Sequence, residues 1–297
     1  MSLEAVSGIE ALRQSLEGPR REGQTIGLVP TMGALHEGHA ALIERARSAC
    51  DLVVVSIFVN RPQFGPAEDF DRYPGSLADD VLFCEARGID RVFAPSEEDI
   101  YPEAPHTAVE VGPEAGGLCG ALRPGHFQAV ASVVLKFFGI VQPDRAYFGE
   151  KDFQQLVLIR RMVRDFNLPV EVVPVPTCRE SDGLAISSRN TCLNPEERRA
   201  AAVIYRALRV MRQRVADGDR TVSVVRKAGL KVLELEPLAR VEYLEIVDPE
   251  VLAPLERIAG PVRAVAAVRI GDTRLIDNVA CEPGKKSRGR RPRQKSP

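Results

Sequence analysis

Five short apolar runs, TIGLVP, DLVVVSIFVN, RVFAPS, RAYFG and VEVVPVP, recur between residues 25 and 176, with longer amphipathic stretches between them. Runs of this length bounded by turn residues read as buried strands; apolar positions three and four apart in the intervals read as helices. The spacing predicts helices over 37–50, 76–87, 126–141 and 152–166. Strands alternating with helices predict an α/β fold, a parallel sheet covered by helices on both faces. The alternating stretch His106 to Val111 (HTAVEV) predicts an extra strand beside that sheet.

After Pro176 the pattern changes. Asn194-Pro195-Glu196-Glu197 reads as a helix start, with Asn as cap and Pro in the first turn, opening an arginine-rich helix to about residue 217. A second helix over 222–235 and strands in VEYLEIVD, RAVAAVRIG and TRLIDNVA complete a smaller α+β unit. The expected division is therefore 1–176, 177–283 and a tail, 284–297. The tail holds seven bases and no acid in its fourteen residues. It has too little apolar surface to fold and is expected to be disordered. It also lacks aromatic residues on which bases could stack, and the rest of the chain is acidic, so no nucleic-acid partner is expected. No apolar run approaches 18 residues and the first residues carry acids, so neither a membrane span nor an export signal is expected, and the protein is read as cytoplasmic. Six scattered cysteines without a CxxC argue against zinc and predict reduced, mostly buried thiols.

Chemistry concentrates where strands end. Pro30 to His39 (PTMGALHEGH) follows the first run and holds two of the chain's four histidines. A strand-to-helix junction offers backbone N–H groups and the positive end of a helix dipole to an anion, and two imidazoles add donors. Gly33 and Gly38 let the backbone approach a ligand. The pattern matches neither GxGxxG nor GxxxxGK[ST], which counts against a dehydrogenase or a P-loop enzyme. Gly149, Lys151, Asp152 and Gln155 form a second such junction, with a cation for phosphates and a carboxylate for ribose hydroxyls. Ser187-Ser188-Arg189 groups two hydroxyls and a guanidinium, a set suited to phosphate oxygens. Asn60 and Gln63 are neutral amides that recognise hydroxyls or a carboxylate without adding charge. Arg123-Pro124-Gly125-His126 reads as a binding loop opening into a helix.

Together VPTMGALHEGH, SIFVN with QFG, RYPGSLADD, FAPS with IYP, RPGHF, QPDRAYFGEKDFQQ, DGLAISSRN and RLIDN resemble the pantoate–β-alanine ligases from about residue 5 to 281. These ligases sit within the HxGH nucleotidyltransferases. The resemblance implies a Rossmann-like sheet with a smaller C-terminal lid domain, and ATP-dependent condensation of pantoate with β-alanine through a pantoyl adenylate. It implies that Met32, Gly33, Ala34, Leu35, His36, Glu37, Gly38 and His39 bind ATP with Gly149 to Asp152, Cys178, Ile186 and Ser187 to Arg189. His36, His39 and Lys151 would be catalytic, with His39 as proton donor. Gln63, Gln155 and Asn60, with Arg123 and His126, would hold pantoate or β-alanine. Magnesium would accompany ATP, with Asp79 or Asp80 helping to hold it, and the protein would be a homodimer. Departures are Arg61 in place of a proline, Cys119 in place of a glutamate and Ala129 in place of a glycine. The alternative is transfer of AMP onto a phosphate acceptor, against which stand neutral amides where such an acceptor needs cations.

Overall fold

A computed structural model describes residues 3, 5–65, 70, 75–103 and 106–284. The basic tail, apart from Gly284, lies outside the described residues. In chain order the first elements are β1 (Ala5–Val6), α1 (Ile9–Arg21), β2 (Ile26–Thr31), α2 (Glu37–Arg47), β3 (Leu52–Ile57), α3 (Leu77–Glu85), β4 (Arg91–Phe93) and the short α4 (Glu97–Ile100). There follow α5 (Cys119–Leu122), α6 (His126–Val141), β5 (Arg145–Gly149), α7 (Phe153–Asp165) and β6 (Glu171–Val175). The remainder is α8 (Pro195–Ala201), α9 (Val203–Ala216), α10 (Val222–Leu233), β7 (Ala239–Val247), β8 (Val262–Ile270) and β9 (Thr273–Cys281).

The first six strands form one sheet in the order β1-β4-β3-β2-β5-β6, and every pairing is parallel. Strands β2 and β3 are apolar along almost their whole length because both sheet faces are covered. On one face α1, α6 and α7 supply Leu12, Leu16, Val134, Phe137, Leu156 and Ile159; on the other α2 and α3 supply Leu42, Ile43, Ala46 and Cys84. The chain runs outward from β2 through β3 to β4, then returns to add β5 on the far side of β2. The strand order therefore reverses between β2 and β5, and in open sheets of this kind ligands bind beyond the carboxyl ends at that point. A second sheet, β7-β8-β9, is antiparallel and packs its own core with α8, α9 and α10.

Two expectations are corrected, and two elements were not anticipated. Residues 106–111 form no strand; Val109 and Val111 alternate because an extended segment lies across the helical face, where the Val109 N–H reaches Ser132 Oγ on α6 at 3.4 Å. Strand β1 and helix α1 were not anticipated, although Leu12 and Leu16 are fully buried. Helix α1 runs through Gly18-Pro19 to Arg21. The single helix expected from residue 194 is two, α8 and α9, divided at Ala202. Of the cysteines, all free, Cys84, Cys119 and Cys281 are buried, Cys50 and Cys178 are half-buried and Cys192 is exposed. Among the described residues no helix is long and apolar enough to cross a membrane.

Candidate active site

The loop after β2 is shaped by a carboxylate from another helix. Gly33 takes a φ of +82° and Ala34 one of +52°, the left-handed region that favours glycine. The buried Asp80 of α3 holds this turn, its two oxygens accepting from Ala34 N at 3.0 Å and Leu35 N at 2.8 Å. Burial raises the Asp80 carboxyl above its usual value, while the Leu35 and Ala34 amides oppose that shift. A Cβ on Gly33 would stand 2.8 Å from Asp80 Oδ2, so the glycine leaves room for the contact as well as the turn.

The two histidines start α2 as a reciprocal cap. His36 Nδ1 accepts from Gly38 N at 3.1 Å, and His39 Nδ1 accepts from His36 N at 3.2 Å, with ring centroids 4.1 Å apart. Burial, then Lys151, depress the His36 pKa to about 4; burial, then His36 and Lys151, depress that of His39 to about 3. Both rings are therefore neutral near pH 7, and with Nδ1 accepting, each carries its proton on Nε2. The Gly38 amide is taken by a ring and the His39 amide by His36 O, so the site offers imidazole donors where free helix N–H groups were expected.

The turn after β5 is gripped from the second sheet. Neither the 3₁₀ turn Glu150–Asp152 nor the start of α7 has a side-chain cap of its own. Instead Asn278 of β9 donates from Nδ2 to Glu150 O and Lys151 O, each at 2.9 Å. Arg263 of β8 pairs with Glu150 at 2.9 Å and stacks 4.1 Å above the Phe153 ring. Lys151 Nζ then donates to Ser187 Oγ at 3.1 Å, tying this turn to the loop after β6. That loop is anchored by Arg179, whose guanidinium donates to both oxygens of the buried Asp277 at 2.6 and 2.8 Å.

The amides come from the loop after β3, where Arg61 and Pro62 form a 3₁₀ turn rather than disrupting it. Asn60 is almost fully buried: Oδ1 accepts from Tyr101 at 2.8 Å, and Nδ2 donates to Gln63 Oε1 at 3.1 Å and Ala129 O at 3.4 Å. Gln63 Nε2 lies 2.8 Å from Met32 Sδ. His126 Nδ1 donates to Gln63 O at 2.8 Å, and Arg123 donates to His126 Nε2 at 2.9 Å.

These loops enclose a cleft of about 210 Å³ at the reversal point. Met32, His36, Gly38, His39, Asn60, Gln63, Gly149, Lys151, Asp152, Gln155, Cys178, Ile186, Ser187, Ser188 and Arg189 line it. Gly33, Ala34 and Leu35 sit behind it as scaffold, Glu37 is exposed and paired with Arg87, and Glu150 faces Arg263. Arg123 and His126 line a smaller adjoining cavity of about 90 Å³ that shares Lys151, Asp152, Gln155, Ser187 and Arg189.

Three contributors escaped the sequence. One is the apolar wall formed by Phe58, Val130, Val133, Val134 and Phe137, whose residues read only as core. Another is Thr177, whose buried hydroxyl has no partner among the described residues although it lines the cleft. The third is the Asp277-Asn278 pair, for which the only signal was the RLIDN stretch. Asp79 is exposed, Asp80 has both oxygens on backbone amides, neither lines the cleft, and no cluster of three metal-ligating side chains occurs among the described residues.

Fold and cleft together define a Rossmann-like α/β protein with a His-Glu-Gly-His start to the helix after β2 and a cationic cleft at the sheet's reversal point. The sequence model of the family described as Pantoate-beta-alanine ligase matches residues 4–280. The chain belongs to that family. It is 53% identical over 277 residues to a pantothenate synthetase of Heliobacterium modesticaldum, covering 92% of this chain and 99% of that one. The crystal structure of pantothenate synthetase from Thermus thermophilus superposes with a TM-score of 0.89 at 51% identity, over 93% of this chain and 99% of that one. A pantoate-beta-alanine ligase from Francisella tularensis, complexed with beta-gamma ATP and beta-alanine, superposes with a TM-score of 0.76 at 34% identity, over 93% of this chain and 97% of that one.

Proposed function

We propose that this protein condenses pantoate with β-alanine at the expense of ATP, through a pantoyl adenylate. One observation carries the reading: a cleft that groups two neutral imidazole donors, one lysine and one arginine with uncharged amides and an apolar wall. A polyphosphate suits the first set. A small hydroxy acid with a gem-dimethyl group suits the second. The family and the ATP and β-alanine complex of the Francisella relative support the same assignment.

In the first step a pantoate carboxylate oxygen attacks the α-phosphorus of ATP and the bond to pyrophosphate breaks. In the second the free amine of β-alanine attacks the acyl carbon, AMP departs and the amine proton is lost. Lys151 and Arg189 offset charge on the phosphates, Ser187 and Ser188 donate to them, and the Nε2–H groups of His36 and His39 meet oxygens that gain charge as pyrophosphate leaves. His39, neutral near pH 7 before ATP binds, offers its Nε2–H as a hydrogen-bond donor to those oxygens, and the triphosphate charge would raise its pKa toward the proton-donor role the motif implies. Gln63 and Gln155, with Asn60 behind Gln63, hold the pantoate hydroxyls and carboxylate, and the valines and phenylalanines take its methyl groups. Arg123 and His126 act on the β-alanine side. Thr177 and the Cys178 backbone face the adenosine, and Asp152 its ribose.

Magnesium enters on this reading as part of the nucleotide substrate, bound to phosphates. A homodimer, action in the cytoplasm and a division of the chain at 176/177 with a dispensable tail belong to the same proposal. Light scattering and deletion of 285–297 test the first and last. The central test measures AMP release with ATP, pantoate and β-alanine, each omitted in turn, and traps the acyl adenylate with hydroxylamine. AMP and hydroxamate that depend on pantoate are expected; AMP without pantoate, or no hydroxamate, overturns the reading.

A further inference from the structure

We propose that Asn278 is a positioning residue for the ligase reaction, holding the Glu150-Lys151 turn from the second sheet so that the lysine ammonium meets the phosphates. The inference rests on the ligase reading of the cleft. Lys151 lies on a short 3₁₀ turn with no side-chain cap, so nothing local fixes the direction of its side chain. The turn exposes two successive carbonyls to the second sheet, and one buried carboxamide satisfies both at 2.9 Å. Its acceptor end is equally fixed, because Asn278 Oδ1 receives Arg263 Nε at 2.7 Å. Arg263 is itself held by Glu150 and by the Phe153 ring, so the grip closes on the turn from both sides of the lysine.

The neighbouring residue extends the device. Asp277 fixes Arg179 at the base of the loop that carries Ser187 and Arg189, and its Oδ1 also accepts from Asn278 N at 2.7 Å. Two adjacent residues of β9 therefore set both loops that Lys151 and Ser187 join across the cleft. Asn278→Asp would keep the shape and the acceptor for Arg263 but put a second acceptor oxygen where the amide donor faced both carbonyls, whereas Asn278→Ala would leave both carbonyls and Arg263 Nε without this partner. Asn278 does not line the main cleft, though it borders the smaller adjoining cavity on the β-alanine side, which the pyrophosphate-releasing half-reaction does not use. Its effect must pass through Lys151.

A double-mutant cycle reads that dependence. In the pyrophosphate-releasing half-reaction, Asn278→Ala is expected to lower kcat about 10²-fold, the scale of a misplaced catalytic group, while KM for pantoate stays within about twofold. In a Lys151→Ala background the same change should add less than about threefold. Asn278→Asp should resemble Asn278→Ala. An equal loss in both backgrounds, or full turnover of Asn278→Ala, overturns the inference. A fully active Lys151→Ala instead overturns the ligase role of the lysine, so the two failures are distinct. If Asn278→Ala does not fold, Arg263→Lys keeps a cation for Glu150 but loses the donor to Asn278 Oδ1. A roughly tenfold loss in kcat that vanishes without Lys151 supports the inference, and an additive loss or none defeats it.

Discussion

The parallel sheet offers chemistry to the cleft from loops at the ends of β2, β3, β5 and β6, whereas the antiparallel sheet offers Arg263, Asp277 and Asn278, all buried, which grip two of those loops. The first region works through half-buried polar side chains on short stretches of chain. The second works through contacts between residues 98 to 128 apart. Substitutions should therefore separate cleanly. Changes in the gripping region should cost stability together with activity; changes in the first region should cost activity alone.

The largest effect is expected from Arg179→Ala. It leaves Asp277, 4% exposed at its side chain, as a buried charge without its bidentate partner, and it removes the anchor of the 179–189 loop. Breaking a buried pair on one side typically costs about 3–5 kcal/mol. Urea unfolding is expected to register a loss of that size, with turnover falling in parallel. A variant as stable as the parent would break the division between the two sheets.

Next comes acid. Folding depresses both cleft histidines, so the unfolded chain binds protons that the native protein refuses. The stability they give is complete above the unfolded value near 6.5 and is lost as pH falls from there toward about 4 and about 3. Allowing for solvent reaching His36 and for two rings in one site, about 3 kcal/mol should disappear between pH 7.5 and 4. His36→Asn with His39→Asn keeps a capping side chain at residue 36 and should flatten that slope in urea unfolding. An unchanged slope would mean that other groups set the acid response. The same depression predicts no ionisation of these histidines in the kcat/KM profile between pH 6 and 8, which reports the free enzyme.

His39→Ala should lower kcat about 10²-fold, as loss of one transition-state donor does, with the urea midpoint little changed. Turnover within threefold of the parent would remove the imidazole from the chemistry. The contrast with Arg179→Ala explains what could be read in the sequence. A group that meets a ligand sits at a strand end, among glycines and polar residues that interrupt an apolar pattern, and so His36, His39, Lys151 and Ser187 to Arg189 stand out. The strands stood out for the same reason: β2 and β3 are buried on both faces and read as unbroken apolar runs. Asn278 and Arg263 lie inside strand patterns, and their importance is set by partners more than a hundred residues away. The alternation of HTAVEV misled in the opposite sense, because period two marks an extended chain against any apolar surface, here α6, and not sheet pairing alone.

The smallest effect discriminates most finely, at Asp80. The family resemblance suggested a metal ligand, but its oxygens hold the Ala34 and Leu35 amides behind the cleft. Asp80→Asn keeps one acceptor and turns an amide donor toward the other N–H, so the turn at Gly33 and Ala34 should relax and the histidines shift. The expected result is a KM for ATP raised about tenfold, equivalent to about 1.4 kcal/mol, with kcat less affected. A metal ligand predicts something different: a raised requirement for free magnesium at a fixed concentration of the magnesium nucleotide. Titrating magnesium against both enzymes separates the two. Superimposable magnesium curves with a shifted ATP curve make Asp80 part of the scaffold, the one element of the parallel half that behaves like the gripping residues of β9. A magnesium curve displaced tenfold would return Asp80 to the chemistry and leave Gly33 and Ala34 to be held by Thr31, whose Oγ1 accepts from Gly33 N at 3.2 Å.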